Sequence, residues 1–353
     1  MTRLKGMSRR EFFIAGAGIA EGAALSAGGM TRGGVPALGG GTRIAGPGIA
    51  QADGLASKSR VVLVKTDSRT DGVKKCLDLL KIDPFKGKSV LVKPNFNTSD
   101  ETPGSTHVDT LKALLGRIRE TGAKSLAIGD RSGPEPTQQV LDKKGIPALA
   151  GSFDAKLLNF DELGADGYVK ITPPGSHWKD GFLIAKPIVE AECVVSTCCL
   201  KTHQYGGVFT MSLKNSVGTV PRKGTTLMRE LHASPDQRRM IAEINYAYKP
   251  AVIVLDGLVA FVDGGPMTGT RKDAGVFLAG TDRVAVDAVG VAILKELGSN
   301  DAVMKSAVFA QEQIARAVEL GLGVSSAADI VIQTPDAASE AYAEKIRKIL
   351  SAG

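Results

Sequence analysis

Residues 201–232 hold the densest set of groups able to do chemistry in this 353-residue chain. Lys201, His203, Lys214, Asn215, Arg222, Lys223, Arg229 and His232 fall there, interspersed with Gly206-Gly207, Gly218 and Gly224. Lysine, arginine and histidine offer charge and N–H donors to a carboxylate or phosphate. Glycines let such a group approach backbone N–H groups closely. Lys201-Thr202-His203 follows the apolar run Cys193-Val194-Val195, and if that strand continues Lys201 and His203 point the same way. Lys214-Asn215 lies in a stretch read as helical, 209–217, where a lysine near the C-terminus also complements the helix dipole.

Three further segments carry similar groups directly after short β-branched runs: Lys93-Pro94-Asn95, Gly129-Asp130-Arg131-Ser132-Gly133 and Asp256-Gly257. Ligands of open α/β sheets bind beyond the carboxyl ends of the strands. Lys201, His203 and Asp256 are therefore the expected catalytic groups. Lys93, Asn95, Asp130, Lys214, Asn215, His232 and Gly265 are the expected binding groups. Gly265 belongs to Gly264-Gly265-Pro266-Met267-Thr268-Gly269, a hairpin turn or a cover over the site. Asp256, Asp130 or His203 would suit a metal ion or a general base, the metal being unspecified. Asp287 interrupts Val284-Ala285-Val286 and Ala288-Val289 within an apolar helix, so it must be paired or functional. His107 opens a predicted helix, Asp282 signals another helix start, and His177 sits apart in a different kind of segment.

The elements that position these groups alternate. Strands are expected at 61–65, 89–93, 125–129, 193–197, 251–256, 275–279 and 329–333. Helices are expected at 72–81, 108–121, 137–144, 235–248, 282–297, 307–320 and 337–350. This rhythm predicts an α/β fold of mostly parallel sheets with flanking helices, as two Rossmann-like lobes over 58–150 and 186–353. Residues 151–185, with Pro173-Pro174-Gly175 and the only tryptophan, Trp178, read as a β-rich insertion. Neither G-x-x-x-x-G-K-[ST] nor a G-x-G-x-x-G turn after the first strand is present, which argues against a P-loop or a conventional dinucleotide site.

Composition narrows the classes further. Of the +7 formal charge, residues 1–52 supply four, from six Lys/Arg against Glu11 and Glu21, leaving the rest close to balanced. No basic block with interleaved aromatics suggests a nucleic-acid surface, and no later segment is apolar enough to span a membrane. Cys76, Cys193, Cys198 and Cys199 include no C-x-x-C spacing, so no iron–sulfur cluster motif is encoded; a buried small hydrophobe is the expected role for Cys193 and at least one of Cys198 and Cys199, metal ligation by one of that pair being the alternative. Ser8-Arg9-Arg10-Glu11-Phe12-Phe13 opens a weakly apolar stretch, 14–27, and resembles a twin-arginine export signal. Residues 1–57 are then signal and Gly/Ala-rich linker, and the mature protein is expected in the periplasm or another extracytoplasmic space, exported folded by the twin-arginine translocase.

Taken in order, Val-Lys-Pro-Asn (92–95), Ile-Gly-Asp (128–130), Leu-Lys-Thr-His (200–203), Leu-Lys-Asn-Ser-Val-Gly (213–218), His232, Asp256-Gly257, Gly265-Pro266 with Gly269, and Asp282 with Asp287-Ala288 resemble the family called domain of unknown function 362. The resemblance spans 60–298. Members often accompany ferredoxin modules, which implies redox or cofactor-linked surroundings and an exported redox partner; this chain carries no such module. Three functions follow: a cofactor- or metal-dependent enzyme acting on a small anionic ligand, an accessory protein maturing another exported enzyme, or a non-catalytic periplasmic anion binder. For the first, lactate-racemase-type proteins are similar in chemistry type, their nickel cofactor site also using Lys and His.

Overall fold

The computed structural model describes residues 58–352; the expected export signal and linker lie outside the described residues. Eleven strands follow in chain order: β1 (Ser59–Lys65), β2 (Ser89–Lys93), β3 (Ser125–Asp130), β4 (Ala155–Asn159), β5 (Tyr168–Ile171), β6 (Phe182–Ala185), β7 (Cys193–His203), β8 (Val208–Thr210), β9 (Val252–Gly264), β10 (Gly269–Gly280) and β11 (Ile330–Gln333). Nine of them form one sheet in the order β11-β1-β10-β9-β7-β2-β3-β4, with β8 added to β7. β11–β1, β9–β7, β7–β2, β2–β3 and β3–β4 are parallel; β1–β10, β10–β9 and β7–β8 are antiparallel. The fold is α/β, mostly parallel, with helices on both faces.

Period-two alternation explains how a sheet can be apolar on both sides. On β1, Val61 and Leu63 enter one core cluster with residues of the Arg283–Glu296 and Ala337–Ser351 helices. Val62 and Val64 enter another with the Arg69–Leu80 and Val108–Glu120 helices. A third cluster joins Trp178, Phe182 and Ile184 of the 168–185 region to the Gln237–Ile244 helix. There β5 and β6 form a separate antiparallel ribbon, and Trp178 Nε1 donates to Met240 O at 3.2 Å. His177 docks the same region, its Nδ1 lying 2.5 Å from Oε1 of buried Glu243, which Arg316 also pairs. β4, within the expected insertion, instead extends the main sheet beside β3.

Two expectations change in the structure. Strands assigned to two lobes share the single sheet, because β1 lies between β10 and β11 and β2 lies beside β7. The stretch 209–217, read as helical, begins as β8: the chain reverses at Gly206-Gly207, and Val208–Thr210 pair back onto Lys201–His203. Helix appears only at Ser212–Asn215, followed by a 3-10 turn, Ser216–Thr219. β7 and β9 also run longer than expected, reaching His203 and Gly264.

The consequence for function lies in neighbouring strands. β9, β7, β2 and β3 are adjacent and parallel, so their carboxyl ends open on one edge of the sheet. Those are the four ends that carry the candidate groups.

One packing prediction follows from the Arg69–Leu80 helix. A Cβ on Gly72 would stand 2.4 Å from Cδ2 of the fully buried Phe277 ring. Gly72→Ala, normally stabilising inside a helix by about 1 kcal/mol, should instead destabilise by about 1–3 kcal/mol, measured by urea unfolding.

Candidate active site

At the ends of β2 and β3, Lys93 Nζ meets Asp130 Oδ1 at 2.6 Å, both side chains buried. The backbone N–H groups of Phe96 and Arg131 donate to the same carboxylate, each at 2.7 Å. Burial pushes the Asp130 carboxyl up, opposed by Lys93 and these N–H groups. Lys93 also donates to Pro94 O at 2.7 Å and to Asn215 Oδ1 at 3.2 Å. Asn215 Nδ2 donates in turn to Ser196 Oγ at 3.0 Å and to the carbonyls of Lys93 and Thr197. Gly218 covers the pair so closely that a Cβ there would lie 2.6 Å from Asp130 Oδ1 and 2.9 Å from Lys93 Nζ.

Lys201 extends the network along β7. It is fully buried, and its Nζ donates to Asn95 Oδ1 at 2.8 Å, Gly104 O at 2.6 Å and Pro266 O at 3.1 Å. All three acceptors are neutral. Burial is the main influence pushing this amine down, to about 8. The hairpin between β9 and β10 is thus both a turn and a cover, since it supplies Pro266 O. Gly265 is required there: its φ is +71° and a Cβ would fall 2.1 Å from Thr202 O. The 98–106 loop approaches the hairpin from the other side, a Cβ on Gly104 standing 2.7 Å from Met267 O.

Lys214 differs from both. It is 9% exposed and makes no hydrogen bond or ion pair among the described residues. Burial pushes its amine down to about 7, and the positive charges of Lys201 and Arg131 add to the effect. His203, also buried, is held well below its ordinary value by burial and then by Lys214, His232 and Lys201. Gly207 N–H donates to His203 Nδ1 at 3.2 Å, which leaves the proton of the neutral ring on Nε2. Lys214 and His203 flank the same bare backbone: a Cβ on Gly207 would be 2.7 Å from Lys214 Cε and 2.8 Å from His203 Nδ1. His232 acts on His203 through space, while its own Nδ1 lies 2.7 Å from Met228 O.

Asp287 proves to be paired. Its two carboxylate oxygens accept from Ser212 N at 2.8 Å and Leu213 N at 2.9 Å, starting the short helix that presents Lys214 and Asn215. Burial pushes this carboxyl up to about 7. Beside this turn, Arg131 donates to the carbonyls of Val217, Val220 and Ser132, tying the end of β3 to the 216–220 segment.

The structure therefore joins Lys93, Asn95, Asp130, Lys201 and Asn215 in one hydrogen-bonded network, covered by the Gly265 hairpin, with Lys214, His203 and His232 in its field. Asp256 stands apart from these bonds. Arg69 Nε pairs with its Oδ2 at 2.9 Å, and Thr110 Oγ1 and Leu258 N donate to it. A carboxylate so engaged ties the Arg69–Leu80 and Val108–Glu120 helices to the end of its own strand. Among the described residues no three His, Cys, Asp or Glu side chains converge as metal ligands, at Asp256, Asp130 and His203 or elsewhere. His107 caps the Val108–Glu120 helix, its Nδ1 accepting from Asp109 N. All four cysteines are free and buried, and burial holds the Cys199 thiol up at about 12. No helix among the described residues is long and apolar enough to cross a membrane.

Three contributors lay outside the sequence expectation. Lys144, at the end of a short helix, sits within electrostatic reach of Cys199 and Lys201, with nothing in its sequence context to mark it. The carbonyls of Gly104 and Pro266 carry no side-chain signal at all, although Gly-Pro at 265–266 marked the hairpin.

Residues 90–292 match the family described as domain of unknown function (DUF362). A thylakoid-associated protein of Synechocystis sp. is 28% identical over 215 residues, covering 59% of this chain and 64% of that protein; the match thus spans just under two thirds of that relative. The lactate racemase apoprotein of Thermoanaerobacterium thermosaccharolyticum is a distant structural likeness, with a TM-score of 0.41 at 14% identity over 81% of this chain and 85% of that one; no role is carried over from it.

The buried ion pair yields a double-mutant prediction. Lys93→Met alone, which strands Asp130, should cost about 3–5 kcal/mol, and Lys93→Met with Asp130→Leu should recover much of that loss, as read from urea midpoints.

Proposed function

Since this chain belongs to the DUF362 family, we propose that it is an exported protein binding a small anion, a carboxylate or phosphate, beside Lys214, His203 and Lys201. Lys214 carries the reading: a buried cation with no acceptor among the described residues, facing two more positive groups. Such a group costs energy until a negative charge joins it. Lys93, on a neighbouring strand, is by contrast neutralised within the protein by Asp130. Lys201 keeps its charge uncancelled because its three acceptors are neutral, and His203 offers an Nε2–H. A neutral histidine whose Nε2–H can hydrogen-bond an oxygen that gains negative charge beside the anion favours an enzyme over a passive solute binder. The Arg9-Arg10 signal supports an extracytoplasmic location.

The pH dependence has a fixed sign. Both amines are depressed in the folded protein, so the unfolded chain holds more protons from about pH 7 up to the ordinary lysine value of 10.5. Stability of the unliganded protein should therefore rise with pH across that window. Anion binding needs the amines charged, so it should take up protons, and affinity should fall by up to about tenfold per pH unit above about pH 7, where Lys214 deprotonates, and by up to about a hundredfold per unit above about pH 8, where Lys201 follows. The groups facing Lys214 are Lys201, His203 and Arg131; those acting on Lys201 include Cys198, Cys199, Asp100 and Lys144. Calorimetry with phosphate and with glycolate across that range is the test, and an affinity that is flat or rises with pH would sink the reading. Lys214→Met should abolish binding and raise thermal stability, since it removes an unpaired buried charge.

A further inference from the structure

We propose that Lys214 is a covalent amine whose Nζ condenses with the carbonyl carbon of a small 2-oxo carboxylate. The inference rests on the anion-binding reading and names its substrate class.

Four buried cations meet at this edge of the sheet; Lys93 is paired with Asp130, and of the other three only one has a nitrogen free to react. Lys201 Nζ is surrounded by Asn95 Oδ1, Gly104 O and Pro266 O. The guanidinium of Arg131 is committed to the carbonyls of Val220, Ser132 and Val217. Those two act on a ligand through their field. Lys214 has no acceptor to hold its protons among the described residues, and its 9% exposure leaves the side chain in touch with solvent. Its backbone is fixed by the Asp287 cap on Ser212 and Leu213, so the amine is delivered from a rigid turn. Desolvation and neighbouring cations, the influences that activate nucleophilic lysines, both act on it and bring it near neutrality at physiological pH.

A 2-oxo acid fits because its negative charge lies one bond from its electrophilic carbon. The fields of Lys201 and Arg131 draw the carboxylate in, while the carbonyl meets Lys214 and accepts a hydrogen bond from His203 Nε2–H, on the far side of the ring from Gly207. The Lys214 nitrogen lone pair forms the C–N bond as the C–O π pair moves to oxygen. Loss of water, carrying the carbonyl oxygen and the two amine hydrogens, leaves a C=N bond. No oxidant or reductant enters that step.

The full-length protein is incubated near neutral pH with glyoxylate and sodium cyanoborohydride, then digested and mapped by mass spectrometry. The expected result is a carboxymethyl group on Lys214, at least about tenfold above any other lysine, as an activated amine should give, and lost in Lys214→Arg. Glycolate, of similar size but without the carbonyl, is titrated by calorimetry in parallel. Glycolate binding with no preferential adduct on Lys214 overturns the covalent step and leaves the anion site standing. Absence of both overturns the covalent step and the anion site together.

Discussion

Everything at this edge of the sheet hangs on the 2.6 Å contact between Lys93 and Asp130. Taking both charges out of water is expensive, and their attraction repays it only when the remaining hydrogen-bonding capacity is used. Here it is used. Asp130 takes two backbone N–H groups, one from the loop after β2 and one from its own strand end, so the carboxylate also fixes how those segments lie together. Lys93 passes its remaining protons to Pro94 and Asn215, and Asn215 ties the helical turn to β7 through Ser196 and Thr197. The bare face of Gly218 closes the arrangement. Loosening that contact would release the turn that carries Lys214.

The same few ångströms contain opposite electrostatic solutions. Lys93 is cancelled by a carboxylate, Lys201 is solvated by three neutral oxygens, and Lys214 is left bare. Neutral acceptors hold an ammonium in place without removing its charge. The protein therefore carries positive potential into a region where three acidic groups are already spent: Asp130 on Lys93, Asp256 on Arg69, Asp161 on Arg222.

Much of this was legible in the sequence because strand ends announce themselves. Lys93, Asn95, Asp130, Lys201 and Asn215 each follow or interrupt an apolar run, and a polar group there must be bonded or functional. Asp287 was legible for the same reason, although only the structure shows that it serves the Lys214 turn. What could not be read was pairing. Arg69, which occupies Asp256, stands 187 positions away, and no local pattern links them. The helical reading of 209–217 holds from Ser212 onwards and missed only its first residues, because Gly206-Gly207 lets the chain fold back and β-pairing with Lys201–His203 outweighs the local tendency of three residues. The sharing of one sheet by early and late strands was not legible either: a strand's partners are set by the whole sheet, and β1 finds its neighbours near the other end of the chain.

The joining of early and late strands in one sheet also bears on when the site comes into existence. Lys201 is bonded to residues 106, 97 and 65 positions away, and Lys93 to one 122 positions away. Each bond closes a long loop, and the entropy of that closure is met before any contact rewards it. The network draws on segments spread between residues 93 and 266, so no short piece of the chain holds it. A competent site is therefore a report that these distant segments have come together.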